Sequence, residues 1–212
     1  MGFFGKVLLV SQGYERVDVV FDAYHSVSIK GCTRERRKKG NLTRRIVKCD
    51  VPLPQDWIGF LSNIDNKSDL TMFLSDQIMM MAPPTLTVVV AGGYKDETEV
   101  KSNNITLDLS PLKATHKEAD TRIILHCIHS SSENVIVLAR DTDIFILLLA
   151  HHYSMNNKLI SMKAGTEKKP KYVSIKSGIT SNDLDEKSVK CFYHTMQSLV
   201  VTPHPFFMVK AK

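Results

Sequence analysis

Two short acidic blocks hold the residue types best suited to chemistry in this chain: His116-Lys117-Glu118-Ala119-Asp120-Thr121-Arg122 and Ala139-Arg140-Asp141-Thr142-Asp143. The first falls where a helix should begin. The second follows an apolar run, Asn134 to Ala139, and Asp22 closes another, Val17 to Phe21. Carboxylates brought together repel, by roughly 4 kcal/mol for a pair ~4 Å apart at an effective dielectric of ~20. Several acids at the ends of core elements therefore point to a divalent cation. Mg²⁺ or Mn²⁺ prefers such oxygen ligands, and two ions ~4 Å apart can activate a water and stabilise the leaving oxygen of a displacement. The chemistry implied is metal-dependent hydrolysis of a phosphodiester, with Glu118, Asp120, Asp141 and Asp143 as ligands and Asp22 as a ligand or base. Each block also has a plainer account: acids favoured in the first turn of a helix, and a capped turn at Asp141. Asp141 and Asp143 are two apart, so at an extended strand end they project to one side. Glu118 and Asp120 are also two apart, but on a helix that spacing does not share a face.

The charge distribution adds a partner class. The chain of 212 residues carries a formal net charge of +6. Nine Lys or Arg and a single acid, Glu35, lie between Lys30 and Lys48, so the rest of the chain is slightly acidic. A local excess of this kind fits a polyanion such as DNA or RNA, although a solvated basic helix has the same composition. The candidate phosphate contacts are Lys30, Arg34, Arg36, Arg37, Lys38, Lys39, Arg44 and Arg45.

The elements that must position these residues follow from periodicity. The apolar, β-branched runs Val17–Phe21, Thr85–Val90 and Asn134–Ala139 read as buried strands, the second closed by Gly92-Gly93. Helical spacing runs through Trp57, Phe60 and Leu61, through Lys67–Met81 up to Pro83-Pro84, through Lys117–Ser130 and through Ile144–His152. Ser26–Lys39 reads as a basic helix and Lys95–Asn104 as a loop. Alternation of buried strands with helices predicts an α/β fold with a central, mostly parallel sheet and helices on both faces. Ligands bind such sheets outside the carboxyl ends of the strands, where Asp22, Asp141 and Asp143 fall.

Composition bounds the rest. With 43% apolar and 24% charged residues the chain matches one globular domain. Cys32, Cys49, Cys127 and Cys191 lack the CxxC spacing of a zinc site, and His116, His126 and His129 scatter around a helix. No nucleophile elbow surrounds Asp22-Ala23-Tyr24-His25-Ser26, and Gly92-Gly93 lacks a P-loop lysine. A Mg²⁺-dependent phosphatase would want a second Asp two residues after Asp22, where Tyr24 stands. No stretch reaches the roughly 20 apolar residues of a membrane span, and no signal peptide is recognisable, so an intracellular protein, nuclear or cytoplasmic, is expected.

Taken together, Val-Val-Phe-Asp22, the basic stretch after it, Glu118-Ala-Asp120 and Asp141-Thr-Asp143 resemble the flap-endonuclease branch of the PIN-like nuclease superfamily. They are more similar still to a group of uncharacterised animal proteins that share His-Glu-Glu-Ala-Asp-Thr-Arg and Asp-Thr-Asp blocks. The resemblance covers residues 16–180, leaving 1–15 unmatched. It implies a sheet with helices on both faces, a two-metal Mg²⁺ or Mn²⁺ site, Asp22 as a metal-site acid, and Lys30 with Arg37 approaching the scissile phosphate. The family's first acid and its late Thr-Gly-Cys-Asp-Thr block have no counterpart, so the family domain is expected to be incomplete. Residues 181–212 read as a degenerate, frameshifted tail, since suitable codons for Leu199–Lys212, read two nucleotides later, can encode the family block. A catalytically inactive remnant that binds nucleic acid or a protein partner is the alternative expectation.

Overall fold

The computed structural model describes residues 3–23, 43–52, 54–115, 119–139, 141–156, 158–166, 169–181 and 206–211. Helix α1 (Phe3–Ser11) leads into strand β1 (Arg16–Phe21). Helices α2 (Trp57–Ser62) and α3 (Ile64–Met81) precede β2 (Thr87–Ala91) and the short β3 (Val100–Ser102). Helix α4 (Ala119–His129), β4 (Asn134–Leu138) and α5 (Thr142–Ala150) follow. The hairpin β5 (Leu159–Thr166) and β6 (Lys169–Ser174), helix α6 (Ile175–Ser181) and β7 (Phe206–Ala211) complete the described elements. The basic segment 26–39 lies outside them.

The strands form one seven-stranded sheet in the order β3-β2-β1-β7-β4-β5-β6. β1 runs parallel to β2, and β4 to β5. β7 pairs antiparallel to both β1 and β4, so those two strands also run the same way. β3 and β6 return antiparallel at the two edges. The class is thus mixed α/β, but the expected mostly parallel sheet is a mixed one. Its four parallel strands are interrupted by β7 and flanked by two edge strands that short connections can reverse. Two segments differ from their expected state. Lys95–Asn104 contains β3, and part of the tail read as degenerate supplies a central strand.

Side-chain alternation along β1 assigns the two faces. Val17, Val19 and Phe21 pack with Val88 and Val90 of β2 under α1 and α3, through Val7 and Ile78. Val20 turns the other way, with Val135, Val137 and Ile160, against Ile123 and Cys127 of α4 and Ile144 and Leu148 of α5. Leu112 closes the same face over Val89 and Ala91. Helices therefore cover both faces. Their boundaries have local causes. Asn63 caps α3 by accepting the Asp65 N–H at 2.9 Å, and Asp56 caps α2 by accepting the Gly59 N–H at 2.8 Å. Helix α5 is apolar around nearly its whole circumference because it is buried nearly all round.

Gly92 ends β2 with φ +84, a conformation that L side chains rarely adopt. A Cβ built there would sit 2.0 Å from the backbone carbonyl oxygen of Phe21, one residue before Asp22. Gly92→Ala is expected to destabilise the fold by more than about 1 kcal/mol, read from the midpoint of chemical denaturation. A midpoint equal to that of the unaltered chain would show that the two strand ends do not approach this closely.

Candidate active site at the carboxyl edge of the sheet

Register fixes where the acids stand. Val19 of β1 and Leu138 of β4 both pair with Met208 of β7, so they lie at one level. Asp22 and Asp141 each follow three residues later, at the same carboxyl edge. One strand intervenes, which sets their backbones roughly 10 Å apart.

Each of these acids stands at a helix start. Asp22 Oδ1 accepts the Ala119 N–H at 2.9 Å, so a residue leaving β1 holds the start of α4. Asp120 is the next helical residue. Asp141, only 9% exposed, is the N-cap of α5, and its Oδ1 accepts the Asp143 N–H at 3.2 Å. Both pairs therefore face the positive ends of helix dipoles. Burial, and then the Asp141 charge, push the Asp143 carboxyl above the usual carboxylate range. Among the described residues no group of three or more His, Cys, Asp or Glu gathers as a metal site. Glu118, Lys30, Arg34, Arg36, Arg37, Lys38 and Lys39 lie outside the described residues. Arg44 forks between Asp69 at 2.7 Å and Asp65 at 3.4 Å on α3. An exposed pair of this kind is worth under about 1 kcal/mol and exchanges readily for another anion. The Arg45 N–H donates to Asn66 Oδ1 at 2.9 Å.

Two features of the site were not assigned a role from the sequence. Arg122, 1% exposed, donates to the carbonyls of Glu97 and Ala114 and so fastens two loops to α4. Burial lowers its guanidinium pKa, while Glu97 and Asp22 oppose that shift, which puts its charge within reach of Asp22. The second feature is a buried network between β1 and α4. Arg16 clasps Asp18 with two hydrogen bonds of 2.7 Å, and His126 Nδ1 donates to Asp18 Oδ2 at 2.6 Å. A second Arg16 contact reaches His129 Nδ1 at 3.1 Å, and His129 Nε2 donates to the Asp108 carbonyl at 2.7 Å. Burial alone would raise the Asp18 carboxyl, but His126 and then Arg16 outweigh it and hold it below the usual range. Alternation at Arg16 and Asp18, and the three-residue spacing of His126 and His129, were the readable hints.

Comparison of the chain with protein-family models, with curated proteins and with solved structures finds no match. No described helix is long and apolar enough to cross a membrane.

Two outcomes follow from this geometry. Removing the Asp18 charge leaves Arg16 buried without its partner, so Asp18→Ala should cost about 3–5 kcal/mol at neutral pH. Because the folded pKa of Asp18 is depressed, its stabilisation is complete above the unfolded value near 4 and is lost as pH falls through the folded value. The gap between the two proteins should therefore narrow in acid, and a pH-independent gap in denaturation midpoints would contradict the assigned ion pair. Asp143, with a raised pKa, behaves oppositely and loses stability as pH rises through its folded value. Asp141→Asn keeps the cap and removes the neighbouring charge, so the Asp143 carboxyl resonance should titrate at lower pH in that variant. An unchanged titration would show that the two acids are not electrostatically coupled.

Proposed function

We propose that this chain is a PIN-like, divalent-metal-dependent nuclease module acting on phosphodiester bonds of DNA or RNA. The observation that supports it most is the levelling of Asp22 and Asp141 at the carboxyl edges of two parallel strands, each beside an acid of a helix that starts there. The donor set suits the ion. Carboxylate oxygens match Mg²⁺ or Mn²⁺, and the raised Asp143 carboxyl is a group that a cation would return to its ionised form. Asp22, Glu118, Asp120, Asp141 and Asp143 would hold the metal. A bound ion would polarise the phosphodiester and lower the pKa of the attacking water.

The chain's own residues have separable tasks in this reading. Asp22 and Asp141 anchor the edge, because each is bonded to a backbone N–H and so keeps its orientation. Asp120 and Asp143 stand one and two residues further, in the first turns of α4 and α5. Lys30 and Arg37 would approach the scissile phosphate. Arg34, Arg36, Lys38, Lys39, Arg44 and Arg45 would neutralise the strand backbone without reading its sequence.

A second reading, a module that binds nucleic acid or a protein partner without cleaving, is favoured by one observation: the described acids alone do not assemble a set of three metal-holding groups. Mn²⁺-dependent cleavage of labelled single-stranded and flap substrates separates the two. Asp141→Asn combined with Asp143→Asn should lower the rate by about a hundredfold or more. Asn still caps α5, so loss of folding does not account for that fall. Cleavage that survives the double variant, or that proceeds in EDTA, would refute the metal-dependent reading.

A further inference from the structure

The hairpin of β5 and β6 stands apart from the rest of the sheet in composition and exposure. Its described residues include Lys163, Lys169 and Lys171 and no acid. Register places Lys163 directly opposite Tyr172, so the two side chains are neighbours on one face. That face continues from Leu138, because Leu138 pairs with Lys163 across β4 and β5. Helices α1 and α3 cover it over β1 and β2. Over the hairpin it is open, with Tyr172 56% and Leu159 55% exposed. Tyr14 belongs to the same surroundings, since its phenol is pushed up by burial and then by Tyr172. Lys169, Lys171 and Val173 alternate onto the opposite face, at the outer edge of the sheet, and all three are exposed.

The hairpin also reaches the acid edge. Lys163 is level with Leu138, so the last pair, Thr166 with Lys169, lies three residues beyond and level with Asp141. β5 is the immediate neighbour of β4, about 4.8 Å away. Lysines and a proline on an edge strand also serve to block sheet-to-sheet aggregation. That role fits Lys169, Pro170 and Lys171. It gives no reason for a tyrosine more than half exposed beside Lys163.

We propose that the β5–β6 hairpin is a clamp for single-stranded nucleic acid, with Tyr172 as a base-stacking platform and Lys163, opposite it on the same face, as a backbone contact on the strand next to the one that leads to Asp141. A cationic surface interleaved with an exposed aromatic is what sequence-tolerant single-strand binding requires: phosphates meet Lys, and any base offers a π-face to stack. The clamp deepens the nuclease reading and rests on it for the fate of the strand. Its binding geometry is independent of metal.

Binding is therefore measured with the full chain in EDTA, by fluorescence anisotropy of a labelled oligo(dT) of about 15 nucleotides, over a range of salt. Lys163→Ala should reduce the slope of log affinity against log salt by about 0.7, the loss of one single-strand contact. Tyr172→Ala should weaken binding about tenfold at fixed salt, the loss of one stacked base, with the slope unchanged. Tyr172→Trp should restore the affinity, which separates stacking from a folding defect. Unchanged affinity and slope in the hairpin variants, with the unaltered chain still binding, would overturn the clamp and leave the nuclease reading standing. Inorganic polyphosphate competing as well as oligo(dT), charge for charge, would overturn the stacking role. Failure of the nuclease reading would appear only in the Mn²⁺ cleavage assay, which these variants do not enter.

Discussion

A buried carboxylate inside an apolar strand is costly unless its partners are in place, and Asp18 imposes that condition on this fold. It is 2% exposed and is satisfied only when Arg16 beside it and His126 on α4 both reach it. Desolvating an ion costs several kcal/mol, so the strand and helix have one low-energy arrangement relative to each other. That arrangement carries the two acids that flank the contact. Asp22 lies four residues beyond Asp18 and Asp120 six before His126, and the Asp22 bond to the Ala119 N–H joins them. Helix α4 is then held at three places. Its far end is fixed by Lys158, whose ammonium donates to the carbonyls of Cys127, Ile128 and Ser130. A helix pinned at both ends and along one side is a rigid mount for the Asp120 carboxylate.

The other half of the edge is built differently. Asp141 is positioned by its own helix, as the N-cap of α5, and its link to Asp22 passes through β7. Were β1 and β4 adjacent, their strand ends would lie about 5 Å apart, close enough for two carboxylates to share an ion directly. With β7 between them the separation doubles. To share an ion, the two acid pairs would have to reach across the start of β7. Insertion of that strand is therefore the structural variable on which the geometry of the edge turns.

The legibility of this structure in the sequence divides along physical lines. β1, β2, β4 and the helices α4 and α5 were readable because burial on one or two faces writes itself as an apolar run or a 3.6-residue spacing. The placing of Asp22, Asp141 and Asp143 at one edge followed from strand ends alone. The hairpin β5–β6 was not readable, because its outer strand is exposed along most of its length and so carries no alternation of apolar and polar residues. β7 owes its place to pairing with strands far away in the chain, which no local pattern encodes. The Asp18 network was hidden for the same reason: its histidine partner stands 108 residues away. A lone Asp in an apolar run reads as an interruption until that partner is known.

The direction of the Asp143 shift bears on what the edge requires. In the first turn of a helix, the dipole and the unpaired N–H groups favour the ionised carboxyl and should lower its pKa. The Asp143 carboxyl is nevertheless raised, by burial first and by Asp141 second. Burial and the neighbouring acid thus outweigh the helix end at this position. Of the described cations, Arg122 donates to two carbonyls with its charge within reach of Asp22, and Lys163 lies a strand away on the hairpin. In the proposed reading the acids at this edge would take a divalent cation, while the lysine and exposed aromatic of the neighbouring hairpin would take a phosphate chain, so the proposed metal site and the proposed clamp share one edge of the sheet.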